Sequence, residues 1–279
     1  MCRTATRVTV RNRLESPPVS HPESEPAPDP AGAPAHPQAL HLRPTAALAE
    51  RVLLPGDPGR ALALAQVLIA EPRMFNHHRG LWGYTGPAHA DGEPLTIQST
   101  GMGGPSAAIV LHELIALGAR RAIRVGTCGA LAPDLALGEL VIARESICHD
   151  GASRALGFDE RRPIGDPVDL RSVADPGLTD ALVRAAPGAH AGPVVSVDLF
   201  YDDSAHARDT RRAGDALAIE MESATLFAVG ARAGVPVACV LAVTDTFDAA
   251  GARTRIDDHA LLAAGETMGA AAVTALGAG

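Results

Sequence analysis

The run LTIQSTGMGGPSAAIVLHELIALGARRAIRVGTCGAL, residues 95–131, decides the fold class. LTIQST (95–100) reads as a strand. Gly101-Met102-Gly103-Gly104-Pro105-Ser106 breaks it and turns into a helix, with Pro105 near the first position, where a missing N–H is tolerated. Ile109, Leu111, Leu114, Ile115 and Leu117 give that helix its apolar side, and Gly118 ends it. RAIRVG (121–126) is a second strand. Strands and helices joined by short links indicate α/β with a largely buried sheet.

The alternation continues on both sides. RVLL (51–54) predicts a strand stopped by Pro55-Gly56-Asp57-Pro58, then a helix over 59–70 with Leu62, Val67 and Leu68 on its apolar side. ELVIA (139–143), GPVVSV (192–197), LAIEM (217–221) and VACVLAV (237–243) read as further strands. Helices are expected over 175–186, over 222–233 before Gly234-Val235-Pro236, and over 257–277. There is no internal repeat, and one domain is expected at about 41–279. Residues 1 to about 38 differ. Arg3, Arg7, Arg11 and Arg13 precede SPPVSHPESEPAPDPAGAPAHP (16–37), which has few aliphatic residues to bury and many prolines. This predicts a disordered extension. A transit peptide and a mis-assigned start codon are the other readings.

Of the 279 residues, 47% are hydrophobic and 20% charged, which excludes a fully disordered chain, a collagen-like chain and a disulfide scaffold. A net charge of -8 leaves no global cationic footprint for nucleic acid, but it allows a small basic pocket for an anion. Cys2, Cys128, Cys148 and Cys239 form no CxxC, so neither a metal knuckle nor a disulfide framework is indicated. The eleven histidines show no HExxH, and His77-His78 reads as surface. No apolar run reaches the roughly 18 residues of a membrane span. The start lacks the apolar core of a secretory signal, so the reduced cytoplasm is the expected location.

Polar groups gather where the strands end, which is where open α/β sheets bind ligands. Gly56 and Arg60 follow the first strand. Arg124 and Thr127 close RAIRVG. Glu220, Met221 and Glu222 follow LAI, and Asp245 follows VACVLAV. Arg124, between Ile123 and Val125, points away from both and needs an anion if buried. Arg60 begins a helix beside the Gly56 turn, where backbone N–H groups also favour an anion. The pair suits a phosphate, and two structural salt bridges are the alternative. Neighbouring strand positions alternate, so one of Glu220 and Glu222 is expected to enter a pocket and the other to face away. A carboxylate there suits the vicinal hydroxyls of a ribose, while Glu222 also fits a helix first-turn carboxylate. Partial burial is expected to raise the pKa of Asp245 and keep a proton available for donation, though a turn or N-cap role fits as well. Gly101–Ser106 has the wrong spacing for GxGxxG and lacks the lysine of a P-loop, so it reads as a close-packed turn.

Six ordered motifs carry a resemblance: LLPGDPGRA (53–61), NHHRGLWGYTG (76–86), TGMGGPSAAIV (100–110), RVGTCGAL (124–131), SVDLFYD (196–202) and EMESATLFAVG (220–230). Over about 41–279 the chain resembles the family I nucleoside phosphorylases of bacteria, the hexameric purine nucleoside phosphorylases and the uridine phosphorylases. The resemblance implies a single-domain three-layer α/β subunit with a mixed, partly barrel-like sheet flanked by helices. It implies reversible phosphorolysis, in which a nucleoside and orthophosphate give a free base and a pentose 1-phosphate. No metal or organic cofactor is implied. Gly56, Arg60, Arg124 and Thr127 would bind phosphate, with Arg79 reaching the adjacent subunit's site. Met221 and Glu222 would hold the ribose, with Glu220 beside them. Phe200 would pack against the base or sugar, and His41 would be lent to the neighbour's ribose. Asp245 matches the acid that protonates the leaving base. The implied assembly is a homohexamer built from dimers that share His41 and Arg79, with neither nucleic acid nor membrane as a partner.

The residues favour purines. Uridine phosphorylases follow their FY motif with a Gln-x-Arg pair, whereas Tyr201-Asp202-Asp203-Ser204-Ala205-His206 has neither residue. Thr127 and EMESATL lean the other way, so uridine phosphorolysis is the alternative. The purine enzymes also place an assisting arginine on the last helix. Here TFDAAGARTRIDDHALL offers Arg253 or Arg255 early and Leu261 later, with no clean equivalent. A nucleoside hydrolase would not need Arg60, Arg79 and Arg124. A non-catalytic nucleoside-binding protein would not need the set Arg60, Arg124, Glu222 and Asp245.

Overall fold

Burial on both faces makes Val52, Leu53 and Leu54 the centre of the sheet. They lie in β1 (Arg51–Leu54), which pairs in parallel with β4 (Pro94–Gln98) on one side and β5 (Arg121–Ala130) on the other. Successive side chains take opposite faces, so Val52 and Leu54 join one core cluster and Leu53 the other. The structure is a computed structural model describing residues 39–157, 170–202, 215–248 and 252–278. All of them fall in the unit His36–Gly279. The Pro-rich stretch 1–38 lies outside the described residues.

The other strands are β2 (Arg73–Asn76), β3 (Gly83–Pro87), β6 (Leu140–His149), β7 (Arg171–Val173), β8 (His190–Val197), β9 (Ala218–Glu220), β10 (Val237–Phe247) and β11 (Arg253–Arg255). They form a mixed sheet in the order β11-β10-β6-β8-β9-β5-β1-β4-β3-β2, with β7 on β6. An additional β10–β5 pairing closes β10, β6, β8, β9 and β5 into a five-stranded ring. This is the expected α/β class with a partly barrel-like sheet. Helices α2 (Gly104–Leu117), α3 (Gly151–Leu156) and α5 (Ser223–Ala233) associate with one another. The helices α1 (Pro58–Leu68), α4 (Pro176–Ala185) and α6 (Asp258–Gly277) pack around the second core cluster. The layers are therefore helix, sheet, helix.

Local chemistry sets the helix ends. The Asp57 side chain caps α1 by accepting from the Arg60 amide at 2.6 Å, with Pro58 at the first position. Gly103 (φ 84°) introduces α2, and Gly118 (φ 117°) closes it in the left-handed region. α6 is long and apolar enough by composition to cross a bilayer. Here its Met268, Ala272, Val273 and Leu276 are buried with Leu64 and Ile97 in the second cluster.

Three strands outrun their apolar stretches. The expected 121–126, 139–143 and 237–243 become 121–130, 140–149 and 237–247. The ring is responsible: Thr127 pairs with Ala242 and Cys128 with Val243, so the ladder extends past hydrophobicity. The short strands β2, β3, β7 and β11 and the helix α3 were not expected. β11 is exposed at all three residues and exists through its antiparallel pairing with β10.

Gly230 makes the tightest helix-to-strand approach, where an added Cβ would lie 2.4 Å from Val237 Cγ2 and 2.8 Å from the Val235 carbonyl oxygen. Gly230→Ala should therefore destabilise the fold by about 1–3 kcal/mol despite alanine's better helix propensity. Equilibrium urea denaturation measures it, and an unchanged or raised midpoint would contradict this packing.

Candidate active site

One cavity of about 570 Å³ opens where β1, β5, β9 and β10 end. Gly56, Arg60, Arg124, Thr127, Phe200, Glu220, Met221, Glu222 and Asp245 all line it. Nine of the eleven residues singled out from sequence are thus brought together. The other two, His41 and Arg79, do not line this cavity. His41 Nδ1 lies 2.7 Å from Glu113 Oε1. Glu113 also accepts from the amides of Leu40, His41 and Leu42, which ties down the segment. Arg79 is exposed in the 3₁₀ turn His78–Gly80, at φ 59°.

Arg124 is 3% exposed. Its Nε donates to Glu220 Oε2 at 3.1 Å, and its Nη2 donates to Glu222 Oε2. Burial alone would depress the guanidinium's pKa, but Glu222 and Glu220 outweigh it and raise it. Nη1 is buried and has no hydrogen-bond partner among the described residues. It sits beside Gly56, where an added Cβ would lie 3.9 Å away. Arg60 lines the same wall and makes no side-chain ion pair among the described residues. Its pKa is lowered by burial and then by the neighbouring Arg124. Two neighbouring guanidiniums, one with an unpartnered buried donor, suit an anion.

Glu220 and Glu222 do not alternate as expected. Both carboxylates converge on Arg124, across the junction where β9 ends at Glu220 and the chain turns into α5. Positions two apart on an extended chain share a face, so the expected divergence misapplied strand alternation to this pair. Glu222 Oε1 accepts from the Gly103 amide at 2.6 Å, just before α2. A carboxylate offers about four acceptor sites, so Glu222 keeps capacity for a hydroxyl donor. Burial raises the pKa of Glu222, while Arg124 opposes it.

Asp245 is 4% exposed at the other end of the group. Its Oδ1 accepts from Arg253 Nε at 2.7 Å and Arg255 Nη1 at 3.2 Å, and its Oδ2 accepts from Thr244 Oγ1 at 2.7 Å. Burial pushes its pKa up, but the hydrogen bonds from Arg253 and Thr244 prevail and hold it below the usual carboxylate value. The expected raised pKa is thus corrected: three donors favour the ionised form. Both arginines that pair with Asp245 come from β11, ahead of the last helix. The Arg253 guanidinium also lies 4.5 Å from the centroid of the Phe200 ring. Phe200 in turn meets Tyr201 edge-on at 4.9 Å.

Sequence reasoning missed several contributors. An added Cβ at Gly126 would stand 2.7 Å from Arg124 Cζ, so the Arg-x-Gly pair lets the guanidinium fold over its own strand. Positions i and i+2 share a face, which is the signal that could have found it. Ser196 and Ser223 lie inside quoted motifs and serve Glu220. Cys128 also lines the cavity, and burial pushes its thiol well up. Of the stretch that bears on uracil, residues 203–206 lie outside the described residues. Among the described residues, no group of His, Cys, Asp and Glu could hold a metal ion.

A family model described as the phosphorylase superfamily matches residues 50–276. The chain is 37% identical over 202 residues to a DeoD-type purine nucleoside phosphorylase of Oceanobacillus iheyensis, covering 71% of this chain and 83% of that protein. It is 36% identical over 204 residues to the DeoD-type enzyme of Geobacillus kaustophilus, covering 72% and 83%. A third such protein, from Caldanaerobacter subterraneus subsp. tengcongensis, is 35% identical over 202 residues, covering 71% and 84%.

The pairing at Asp245 can be checked directly. Arg253→Met should raise the carboxyl's pKa, because burial then acts with one guanidinium fewer to oppose it. The lowered pKa stabilises the fold above the ordinary carboxylate range, and that contribution is lost as pH falls through the lowered value. Carbon-13 carboxyl titration by NMR reads the shift. A carboxyl that titrates unchanged would show that Arg253 does not hold it.

Proposed function

The chain belongs to the phosphorylase superfamily, and from that membership we propose that it cleaves purine nucleosides with orthophosphate, giving free base and (deoxy)ribose 1-phosphate. It is a pentosyltransferase in this reading, as the names of its relatives indicate. The observation that carries the proposal is the cavity itself. Arg124, with one buried unpartnered donor, stands beside Arg60 on one side of Glu222, while Asp245 lines the same space.

The chemistry assigns a task to each group. Phosphate is to be held by Arg60, Arg124, Thr127 and the Gly56 turn, with Arg79 contributed by an adjacent subunit. Glu222 accepts from the ribose hydroxyls with its remaining acceptor capacity, and Met221 packs beside them. His41, fixed by Glu113, is offered to the neighbour's ribose. As the glycosidic bond breaks, positive charge develops at C1′ and negative charge on the base. Guanidiniums that orient the nucleophile remove the entropy of a bimolecular encounter. The leaving base needs a proton, and Asp245 is the group placed to give one. It carries that proton only when its contacts with Arg253 and Arg255 loosen, since those contacts favour the carboxylate. The two arginine side chains are 35% and 60% exposed, so the loosening takes place at the rim of the pocket.

No metal or organic cofactor is assigned a role, and orthophosphate is the co-substrate. Sharing of His41 and Arg79 makes a dimer the minimum active unit, with a homohexamer built from such dimers as the assembly and the cytoplasm as its location. Uridine remains the alternative base because of Thr127 and EMESATL, but Asp245 and the relatives' names favour purine.

A panel of adenosine, inosine, guanosine and uridine, each with and without phosphate, tests the reaction. Purine release should require phosphate, and release without it would indicate a hydrolase. Asp245→Asn should lower kcat by about 10²–10⁴, the usual worth of general acid catalysis, with phosphate binding retained. Unchanged turnover would remove Asp245 from the acid role.

A further inference from the structure

Glu220 was expected to touch the nucleoside, yet its side chain has no exposed surface. Its hydrogen-bonding capacity is already taken. Oε1 accepts from Ser196 Oγ, from Ser223 Oγ at 2.7 Å and from the Ser223 amide at 3.0 Å. Oε2 accepts from Arg124 Nε at 3.1 Å, the Glu222 amide at 2.9 Å and the Ser223 amide at 2.9 Å. The serines are not independent. Ser146 Oγ lies 3.0 Å from both Ser196 Oγ and Ser223 Oγ, and Ser196 and Ser223 are 3.2 Å apart. All three are wholly buried, and they come from β6, β8 and the start of α5. The Ala224 amide donates to Ser196 Oγ at 2.9 Å, which completes the seat.

We propose that Glu220 is a positioning residue: held on this ring of serine hydroxyls, it fixes the plane of the Arg124 guanidinium so that Nη1 stays beside Gly56, ready for the phosphate. The geometry requires some such restraint. A guanidinium anchored only through Nη2 to Glu222 pivots about that bond. A second anchor at Nε removes the pivot and leaves Nη1 as the donor without a partner. Glu222 is then free of sole responsibility for Arg124 and keeps acceptor sites for the sugar. The inference rests on the reading of Arg124 as a phosphate ligand.

The full-length chain, its Glu220→Gln form and its Ser196→Ala form are compared by initial rates, with phosphate and a purine nucleoside varied independently. The rise in Tm caused by added phosphate provides a readout apart from turnover. Glu220→Gln should raise the KM for phosphate about tenfold, the scale of one misplaced charge-assisted hydrogen bond. The nucleoside KM should stay within about twofold, and the phosphate-induced rise in Tm should shrink. Ser196→Ala should move the phosphate KM the same way by about threefold, since one neutral donor to Glu220 is lost. A raised nucleoside KM with the phosphate KM unchanged would make Glu220 a nucleoside ligand and overturn the proposal. A lower kcat with both KM values intact would reduce it to a structural group. If Glu220→Gln does not fold, Ser196→Ala decides by the same split. Wild-type turnover indifferent to phosphate would overturn the phosphate reading first, and this inference with it.

Discussion

The buried guanidinium of Arg124 is the constraint on which the site depends. A lone charge in this interior would be prohibitive, and pairing makes it tolerable only when every partner is in place. Glu220 and Glu222 supply that pairing from the end of β9 and the start of α5. Glu222 also takes the Gly103 amide, and Glu220 takes serines from β8 and α5. One side chain on β5 therefore ties together a second strand, two helix starts and a buried hydroxyl ring. One guanidinium between two carboxylates leaves an excess of negative charge, and Arg60 on the same wall offsets it. An incoming oxyanion then meets a wall whose charges are already compensated, and its recognition depends on orientation as much as on net charge.

The barrel makes this arrangement possible. β5 carries Arg124, and β10 carries Asp245; the two strands pair in parallel. Closure of the ring brings β9, with Glu220 at its end, against β5 on the other side. The approach needs small residues. Gly126 leaves room for the Arg124 side chain, and an added Cβ at Gly129 would stand 3.2 Å from both Ile219 and Phe247. The glycines of RVGTCGAL, which look like interruptions in a strand, are what allow polar groups to gather there.

Much of this was legible in the sequence. Apolar runs such as RVLL, RAIRVG and VACVLAV are buried on both faces, so hydrophobicity alone marks them. Gly118 and Gly234 both occupy the left-handed region expected of helix ends. β11 could not be read: Arg253-Thr254-Arg255 is exposed at every position, and only its partner strand makes it a strand. The site was legible as a set of residues but not as a network. Glu220 and Glu222 were misplaced by treating residues two apart as strand neighbours, whereas positions i and i+2 share a face. Burial misjudged Asp245 because the opposing guanidiniums come from the unread hairpin. The serines under Glu220 carry no pattern in one dimension, since their strands meet only through the fold.

The register of β5 against β10 sets the length of what the cavity can hold. Cys239 stands opposite Arg124, and Asp245 opposite Gly129. Arg124 and Gly129 are therefore separated along one strand by roughly 16 Å at the usual rise per residue. Arg124 and Asp245 both line the cavity that lies along this stretch. The bulge between Val243 and Asp245 shifts that register and helps set where the carboxylate lies relative to the arginines. The spacing between cation and acid is thus written into the hydrogen-bond ladder of the barrel. The two groups that the proposed reaction sets at opposite ends of its substrate are held by strands that cannot slide past one another without breaking the ring.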